Sequence, residues 1–581
     1  MNEYRVWAPD AQEVELRVGS TAHAMERNES GWWTTDVQPN PDDRYAFCVD
    51  GDDERPDPRS LSQPDGSHAR SEVVDLTAYP WSDAEWTGVH LQDAVIYELH
   101  LGTFTEEGTC DAAIERLDHL VDLGITMIEL MPVAAFPGHR GWGYDGVDPY
   151  AVHSAYGGVA GLQRLVDACH QRGLGVCLDV VCNHLGPSGN YLSEFGPYFT
   201  DRYTTPWGWA VNLDGPQSDE VRSYLIDNAH MWFRDFHVDA LRLDAVHELH
   251  DARAITFLEE LASRTDQLSL ALGRPLTLIA ESDRNDPATV SRRAHLGSGG
   301  IGMHGQWADD VHHSLHVLLT GETQGYYADF AVGMSIGKTL STPFFHDGTW
   351  SSFRQRHHGG QIDPETTPGW RFIASLQTHD QVGNRAAGER LSQLVSPGRL
   401  ACGAALLLTS PYTPMLFMGE EWGASTPWQY FTDHQDPDLA RAVSKGRREE
   451  FAEHGWGEDV PDPQDVSTFK RSQLDWSEVD DGVHAELLAW YRTLIRLRAS
   501  VPDLHDGRLG VTPVDLRDGM LTVSRGRWRV VANLSDRPLT HMLRDDESVH
   551  AAWGADDAGT SVTLPSDGVV IVGPVDVETP S

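Results

Sequence analysis

The run VDALRLD at residues 238–244 decides the fold, because it is an apolar strand that ends on an arginine and an aspartate. Alternate residues of a strand leave the same face, so Arg242 and Asp244 are predicted to lie within ion-pairing distance of each other. Seven further apolar runs of strand length occur along the chain, at 94–99, 125–130, 175–181, 276–281, 300–306, 372–377 and 415–418.

Helical periods separate most of these runs. They lie at 111–123, 159–173, 218–236 and 251–264, and another at 484–499 follows the last run. Strands that alternate with helices predict a parallel sheet. Eight such strands predict an α/β protein with a (β/α)₈ TIM barrel and extra length in the loops after strands three, six and eight. A doubly wound sheet is the competing fold on pattern alone.

Both ends of the chain show a different pattern. Residues 1–90 alternate apolar and polar positions in short runs such as VELRV at 14–18, which predicts an N-terminal β-sandwich. The alternation returns near the end, as in WRVVANL at 528–534, and predicts an antiparallel β-domain over 504–581. The barrel is therefore expected to occupy residues 91–503.

The charge of the chain excludes several classes of partner. The 581 residues include 88 acidic and 44 basic side chains, a formal net charge of −44, which repels nucleic acids and anionic membrane surfaces. Only three of the basic residues are lysines, and both adaptation to high salt and codon bias remain open as reasons. The start of the chain does not look like a signal peptide and no 18-residue apolar run occurs, so we expect a cytoplasmic protein. Six scattered cysteines without a C-x-x-C pair predict buried free thiols.

The chemistry is predicted at the carboxyl ends of the strands, where barrels of this kind build their active sites. Asp244 and Glu281 each end one of the apolar runs, Asp380 follows the run 372–377 by three residues, and the three would converge on one mouth. An aspartate ionised beside an arginine, next to a carboxyl group in a less polar pocket, suits glycoside hydrolysis. A separation of ~5–5.5 Å between the two carboxyl groups would give retention, and ~6.5–9.5 Å would give inversion.

Taken singly, each of these residues is more often a helix cap or an ion-pair partner, but their order along the chain is specific. D-x-x-x-N-H at 179–184, R-x-D at 242–244, an apolar run ending in Glu281, and His379-Asp380 occur in that order. This order resembles the α-amylase superfamily, glycoside hydrolase family 13, over nearly the whole chain. The stretches GWGYDGV at 141–147, PYTPMLFMGEEW at 411–422, FTDH at 431–434 and GRREEF at 446–451 are similar to those of the trehalohydrolase branch of that superfamily.

The resemblance implies a role for each site residue. Asp244 would be the nucleophile, Glu281 the general acid and base, and Asp380 the group that holds sugar hydroxyls in the distorted transition state. His184 and His379 would hydrogen-bond the sugar in the −1 subsite, and Asn183 would also lie in the site. Arg242 would orient Asp244, and Tyr144 would form a stacking platform for the sugar. Asp179 would have a structural role.

No cofactor and no metal are expected. In many amylases the residue matching Asn183 belongs to a calcium site, but the trehalohydrolase branch resembles the relatives without that ion. The sequence between 185 and 215 offers no clear carboxylate cage for calcium. Ala240 stands where many relatives have glycine, a small departure from the family pattern.

Aromatic platforms recognise the apolar faces of sugars, so tryptophans in the predicted strand-end loops are candidate contacts. They are Trp142, Trp207, Trp209, Trp422 and Trp428. Of these, Trp207 or Trp209 is expected to define the trehalose side of the cleft.

The resemblance implies an N-terminal sandwich of the isoamylase type and cleavage of the α-1,4 bond that joins trehalose to a maltooligosyl chain, with retention. The implied substrates are maltooligosyl trehalose and related α-glucans, and the pathway partner is maltooligosyltrehalose synthase. The alternatives are an α-glucan branching or debranching enzyme and, from another class, a non-catalytic glucan-binding scaffold.

Overall fold

The centre of the computed structural model, which describes residues 3–293, 299–331, 333–452 and 460–577, is a closed barrel of parallel strands. Its strands, in chain order, are Ile96–Leu99, Met127–Leu130, Gly175–Val180, Ala240–Leu243, Thr277–Ala280, Gly305–Trp307, Phe372–Ser375 and Thr413–Phe417. Each strand pairs with the next one along the chain, and the last pairs with the first. The predicted (β/α)₈ barrel is confirmed, and the doubly wound alternative is wrong.

Helices follow most of the barrel strands, and several of the longer ones bury an apolar face. The longer ones are Gly158–Gln171, Ser218–Asp235, Phe257–Leu272, Asp309–Thr320, Pro397–Leu408, Pro437–Ala452 and Gly482–Ser500. The shorter ones are Leu101–Phe104, Cys110–Ile114, Leu117–Leu123, Leu192–Phe195, Met334–Thr339, His379–Gly383, Leu391–Leu394, Val466–Arg471 and Pro502–His505. Within the stretches that the structure describes, no helix is both long and apolar enough to cross a bilayer.

Three predicted elements differ from the structure. The run at 300–306 is mostly loop, because the amides of Ile301 and Met303 donate to carbonyls at 288–289 instead of to a neighbouring strand. The helix expected at 111–123 is two helices, Cys110–Ile114 and Leu117–Leu123. The helix expected at 251–264 begins only at Phe257, where Thr256 and Glu259 form a capping box.

Antiparallel sheets flank the barrel along the chain. At the N-terminal end, one sheet has the strand order Thr21–Ala24, Val14–Val18, Arg44–Val49, Ser71–Glu72, and a second has the order Arg5–Trp7, Trp32–Thr34, Glu26–Arg27. At the other end, a five-stranded sheet has the order Val514–Arg517, Met520–Arg525, Trp528–Asn533, Val569–Pro574, Glu547–Trp553, and a three-stranded sheet the order Leu539–Met542, Ser561–Leu564, Asp556–Asp557. These sheets fit the predicted β-domains, whose boundaries at residues 90 and 503 stay a prediction.

Short two-stranded ribbons extend from the loops at the carboxyl side of the barrel. They are Ala134–Ala135 with Asp148–Val152, Phe199–Thr205 with Gly208–Val211, and Thr349–Ser351 with Arg356–His358. The second of these follows the third barrel strand and the third follows the sixth, so the extra loop length after those strands is used to build hairpins.

A buried polar cluster closes the opposite, amino-terminal end of the barrel. Asp239, which precedes the fourth strand, accepts hydrogen bonds from Trp86 Nε1 at 2.8 Å and from Arg274 Nη1 at 2.9 Å. Its other oxygen lies 3.1 Å from His170 Nε2 and accepts from the amide of Val176 at 2.9 Å. One carboxylate therefore ties the segment before the barrel to three barrel elements.

We expect Asp239→Ala to destabilise the protein, because it removes the anion that a mostly buried arginine, Arg274, and a buried histidine, His170, share. Loss of one partner of a buried charge network costs about 3–5 kcal/mol. Differential scanning calorimetry should show a clearly lower melting temperature. The control is Asp235→Ala, which removes a more exposed carboxylate paired with its neighbour Arg234. Equal melting temperatures for both variants would refute this role of Asp239.

Candidate active site

Arg242 on the fourth barrel strand is the centre of the candidate site. Its side chain is fully buried, and Nη1 donates to Asp244 Oδ1 at 2.7 Å and to Asp179 Oδ2 at 2.8 Å. Nη2 lies 3.7 Å from Glu281 Oε2, and the guanidinium carbon lies 4.4 Å from the centre of the Trp307 ring. One guanidinium thus gathers carboxylates from the ends of the third, fourth and fifth strands.

Asp244 is held on both of its carboxylate oxygens. Arg242 binds Oδ1, and the side-chain amide of Asn183 donates to Oδ2 at 2.8 Å and also to the carbonyl of Asp244 at 2.8 Å. Asn183 is completely buried, so it positions the aspartate from behind. A carboxylate with a donor on each oxygen has one orientation, as a nucleophile requires.

Glu281 is placed by the turn that follows Asp244. The backbone amide of Ala245, a left-handed residue with φ of 38°, donates to Glu281 Oε2 at 2.6 Å. Burial raises the pKa of Glu281 to about 8; the charge of Arg242 opposes this and that of Asp244 adds to it. Glu281 therefore carries a proton at neutral pH, which suits a general acid.

Tyr144 and His379 form a stacked pair beside these carboxylates. The Tyr144 hydroxyl donates to Asp179 Oδ2 at 2.6 Å and lies 2.9 Å from His379 Nε2, with the two ring centres 5.2 Å apart. Asp380 Oδ1 lies 3.5 Å from the same His379 nitrogen, and 46% of the Asp380 side chain is exposed. Asp380 is thus anchored at the site while its carboxylate faces solvent.

His184 connects the site to an exposed aromatic ring. Its Nδ1 contacts the Asn183 side-chain oxygen, and its Nε2 lies 3.0 Å from the carbonyl of Tyr144. The imidazole stacks on the indole of Trp207, with ring centres 4.1 Å apart and planes within 6°. Because Trp207 is 50% exposed, the stack extends the wall of the site towards solvent.

Most of the residues predicted from the sequence come together here. The contact network just described includes Tyr144, Asn183, His184, Arg242, Asp244, Glu281, His379 and Asp380, with Trp207 attached through His184. Trp209 lies on the same hairpin as Trp207 and is 63% exposed.

The other tryptophans are not open platforms. Trp142 is only 6% exposed; it stacks on Trp428 and meets the edge of His379, so it packs behind the site. Trp422 and Trp428 are completely buried, and the expectation that they contact sugar is wrong. The loops that carry these two tryptophans pack into the core, because burying a large aromatic ring is more favourable than leaving it in contact with water.

Three residues of the site were not predicted from the sequence. Glu98 on the first strand binds His379, Trp307 on the sixth strand lies under Arg242, and Asp309 begins the following helix. A signal for Glu98 was available, since a charged residue inside the apolar run AVIYEL needs a buried partner. Asp179, expected to be structural, lies within the network, and burial raises its pKa to about 6 against the opposing charge of Arg242.

A polar cleft of about 650 Å³ adjoins the end of the fifth strand. It is lined by the loop residues that follow Asp244 and Glu281 and by the hairpin Thr349–Ser351 with Arg356–His358; these are His247, Glu248, His250, Asp283, Arg284, Asn285, Asp286, Pro287, Arg356, His357, His358, Gly359 and Gly360. Among the residues described, no three His, Cys, Asp or Glu side chains are grouped so as to hold a metal ion.

The chain is similar to proteins of the α-amylase family. The model of the α-amylase catalytic domain matches residues 58–207. A malto-oligosyltrehalose trehalohydrolase of Arthrobacter ramosus is 55% identical over 544 residues, which cover 92% of this chain and 93% of that protein. One of Mycobacterium tuberculosis (strain CDC 1551 / Oshkosh) is 53% identical over 545 residues, 93% of each chain. A 1,4-α-glucan branching enzyme of Bacillus caldolyticus is 29% identical over 472 residues, 73% of this chain and 65% of that one.

Among solved structures, an α-amylase candidate from Salmonella typhimurium matches with a TM-score of 0.90 and 38% identity, and covers 98% of this chain and 97% of its own. A pullulanase from Anoxybacillus sp. LM18-11 matches with a TM-score of 0.72 at 18% identity, over 98% of this chain and 86% of its own, which shows a shared fold.

Burial is the main cause of the raised pKa of Glu281, and its acidic neighbours, among them Asp309, add to it. We expect the Glu281 carboxyl to lose its proton near pH 8 in the wild type, and at lower pH in Asp309→Asn, because that variant removes a negative charge. Carbon-13 NMR of labelled glutamate side chains measures this, with the signal assigned by its loss in Glu281→Gln. The control Asp556→Asn removes an exposed carboxylate in the C-terminal sheets. An identical titration in Asp309→Asn and the wild type would contradict the expectation.

Proposed function

The chain belongs to the malto-oligosyltrehalose trehalohydrolases of the α-amylase family, and we propose that it hydrolyses the α-1,4-glucosidic bond between trehalose and the maltooligosyl chain of maltooligosyl trehalose. The observation that carries the proposal is the pair Asp244 and Glu281 around Arg242: one carboxylate is held by donors on both oxygens, and burial raises the pKa of the other to about 8. Glycoside hydrolysis with retention needs such a nucleophile and such an acid.

In the first step, Asp244 attacks the anomeric carbon of the maltooligosyl unit. Glu281 gives its proton to the glycosidic oxygen as the carbon–oxygen bond breaks, so trehalose leaves with an intact hydroxyl group. The glycosyl unit is then bound to Asp244 as an ester. Arg242 and Asn183 keep the attacking carboxylate in place by their contacts with its two oxygens.

In the second step, Glu281 is a carboxylate and takes a proton from water. The water oxygen attacks the anomeric carbon, the ester bond to Asp244 breaks, and a maltooligosaccharide with the original α configuration is released. Glu281 regains its proton in this step and is ready for the next cycle. Asp380, partly exposed beside His379, is the group we assign to the hydroxyls of the distorted sugar.

We assign the trehalose unit to the polar cleft next to Glu281, because the general acid protonates the leaving group and therefore lies on its side. The lining is mostly hydrogen-bonding side chains, which suits a disaccharide whose outer surface is hydroxyl groups. The hairpin that carries Trp207 borders this cleft, since Tyr203 on the same hairpin stacks on His250 with ring centres 5.0 Å apart.

We also propose a cytoplasmic location and a functional pairing with maltooligosyltrehalose synthase. The six cysteines are free and buried, as in proteins of a reducing compartment. The pairing follows from the substrate, because a trehalose end on a glucan must be made by a reaction that modifies the reducing end of an α-glucan. The metal-free mechanism above uses only side chains of this chain.

Product analysis tests the reaction. We expect maltotriosyl trehalose to give free trehalose and maltotriose, with little cleavage of maltopentaose or amylopectin. Proton NMR of the early products should show maltotriose in the α form, as retention requires. New branch points or debranched chains from amylopectin would move the assignment to a branching or debranching enzyme. Binding without any hydrolysis would indicate a scaffold.

Trp207 is expected to contribute to selectivity for the trehalose side, because it forms the outer layer of the stack on His184. For Trp207→Ala we expect kcat/KM for maltotriosyl trehalose to fall roughly 10-fold relative to maltopentaose, the size of one lost stacking contact. Trp209→Ala, on the same hairpin but outside the stack, is the matched control and should change the ratio less. Unchanged selectivity in both variants would count against this role.

A further inference from the structure

Glu98, buried on the first barrel strand, grips His379 at two points. Its Oε1 lies 2.5 Å from His379 Nδ1, and its Oε2 accepts a hydrogen bond from the backbone amide of His379 at 3.0 Å. Both side chains are 1% exposed. A contact of this kind fixes both the ring and the backbone at the end of the seventh strand.

The hydrogen-bond directions decide how many protons the imidazole carries. The Tyr144 hydroxyl donates to Asp179 at 2.6 Å, so at 2.9 Å from His379 Nε2 it acts as the acceptor. On the other side of the ring, Nδ1 faces the Glu98 carboxylate. Both ring nitrogens thus face acceptors, and an imidazole that donates from both nitrogens is an imidazolium.

Electrostatics agree with this geometry. Burial lowers the pKa of His379, but the charges of Glu98 and Asp380 outweigh it and raise the pKa to about 9. The charged and titratable groups that face the ring come from several elements, and they are Glu98, His100, Tyr144, Asp179, Arg242 and Asp380. The shortest of the contacts that the ring makes with them is the one with Glu98.

We propose that Glu98 is a positioning residue for hydrolysis: its carboxylate keeps His379 doubly protonated and so sets the direction of the hydrogen bonds from His379 through Tyr144 to Asp179. Asp179 shares Arg242 with the nucleophile Asp244, so the chain of contacts runs from the first strand to the reacting carboxylate. This inference rests on the proposed function, because it concerns the same site.

Removal of the Glu98 charge should reverse the direction of the hydrogen bond between His379 and Tyr144. A glutamine at position 98 has only one accepting oxygen. In Glu98→Gln, when that oxygen accepts from Nδ1, the NH2 group takes the place of the acceptor of the His379 backbone amide, and the neutral imidazole has no second proton for Nε2. Nε2 then accepts from the Tyr144 hydroxyl, which turns away from Asp179. We expect kcat for maltotriosyl trehalose to fall roughly 10- to 100-fold with KM changed less than about threefold, since the binding surface is unaltered.

Glu129 supplies a matched control. It lies directly opposite Glu98 on the second strand and is also buried. Burial raises its pKa to about 8, with Glu98 and Asp179 adding to the effect, so Glu129 is already neutral near pH 7. Glu129→Gln therefore replaces one neutral buried group with another and should leave kcat close to that of the wild type.

Two measurements separate positioning from a purely structural effect. Nitrogen-15 NMR of labelled histidines, with the His379 signal assigned by its loss in His379→Gln, should show two ring protons on His379 near pH 7 in the wild type and one in Glu98→Gln. In the His379→Gln background, Glu98→Gln should cause a much smaller loss of kcat than it causes alone, because the ring is absent and only the hydrogen bond from the backbone amide of residue 379 remains to be lost.

Additive losses in that double variant, or a neutral His379 in the wild type near pH 7, would overturn the proposal. The second result needs only the wild type and the His379→Gln variant used for assignment, so it stands even if Glu98→Gln does not fold. If the wild-type protein does not cleave maltotriosyl trehalose, the proposed function fails, while the protonation state of His379 is still measured independently.

Discussion

The need to neutralise one buried guanidinium organises the mouth of the barrel. Arg242 is fully buried, and a buried charge costs several kcal/mol unless it is paired and hydrogen-bonded. The pairing comes from Asp179 and Asp244, with Glu281 close by, and each of these lies at the end of a different strand. The carboxylates that neutralise Arg242 are therefore the same ones that form the candidate site.

The same network separates the chemistry of its two reacting carboxyl groups. Asp244 receives a donor on each oxygen, whereas Glu281 receives one backbone amide and lies farther from the guanidinium. Burial then raises the pKa of Glu281 to about 8. The two side chains have nearly identical intrinsic acidity, and their different neighbours suit them to the roles of nucleophile and acid that we propose.

Neutral substrates explain how a chain with a formal charge of −44 can have a carboxylate-rich active site. Sugar hydroxyls accept and donate hydrogen bonds without needing opposite charge, and aromatic faces contact their apolar CH groups. The hairpins after the third and sixth strands provide such surfaces beside the polar cleft, through Trp207 and through Arg356 and His357. The barrel supplies the reacting groups, and the long loops supply the walls around them.

The sequence by itself determined that eight strands alternate with helices, although the sixth is shifted to Gly305–Trp307, and it placed Asp244, Glu281 and Asp380 at or just after strand ends, because apolar runs and strand alternation are local properties. The Arg242–Asp244 contact was predictable for the same reason, since the residues are two apart. The contact of Glu98 with His379 joins positions 281 residues apart, and only the closed barrel decides it. Burial of Trp422 and Trp428 was likewise decided by tertiary packing, because the exposure of a ring depends on what folds over it.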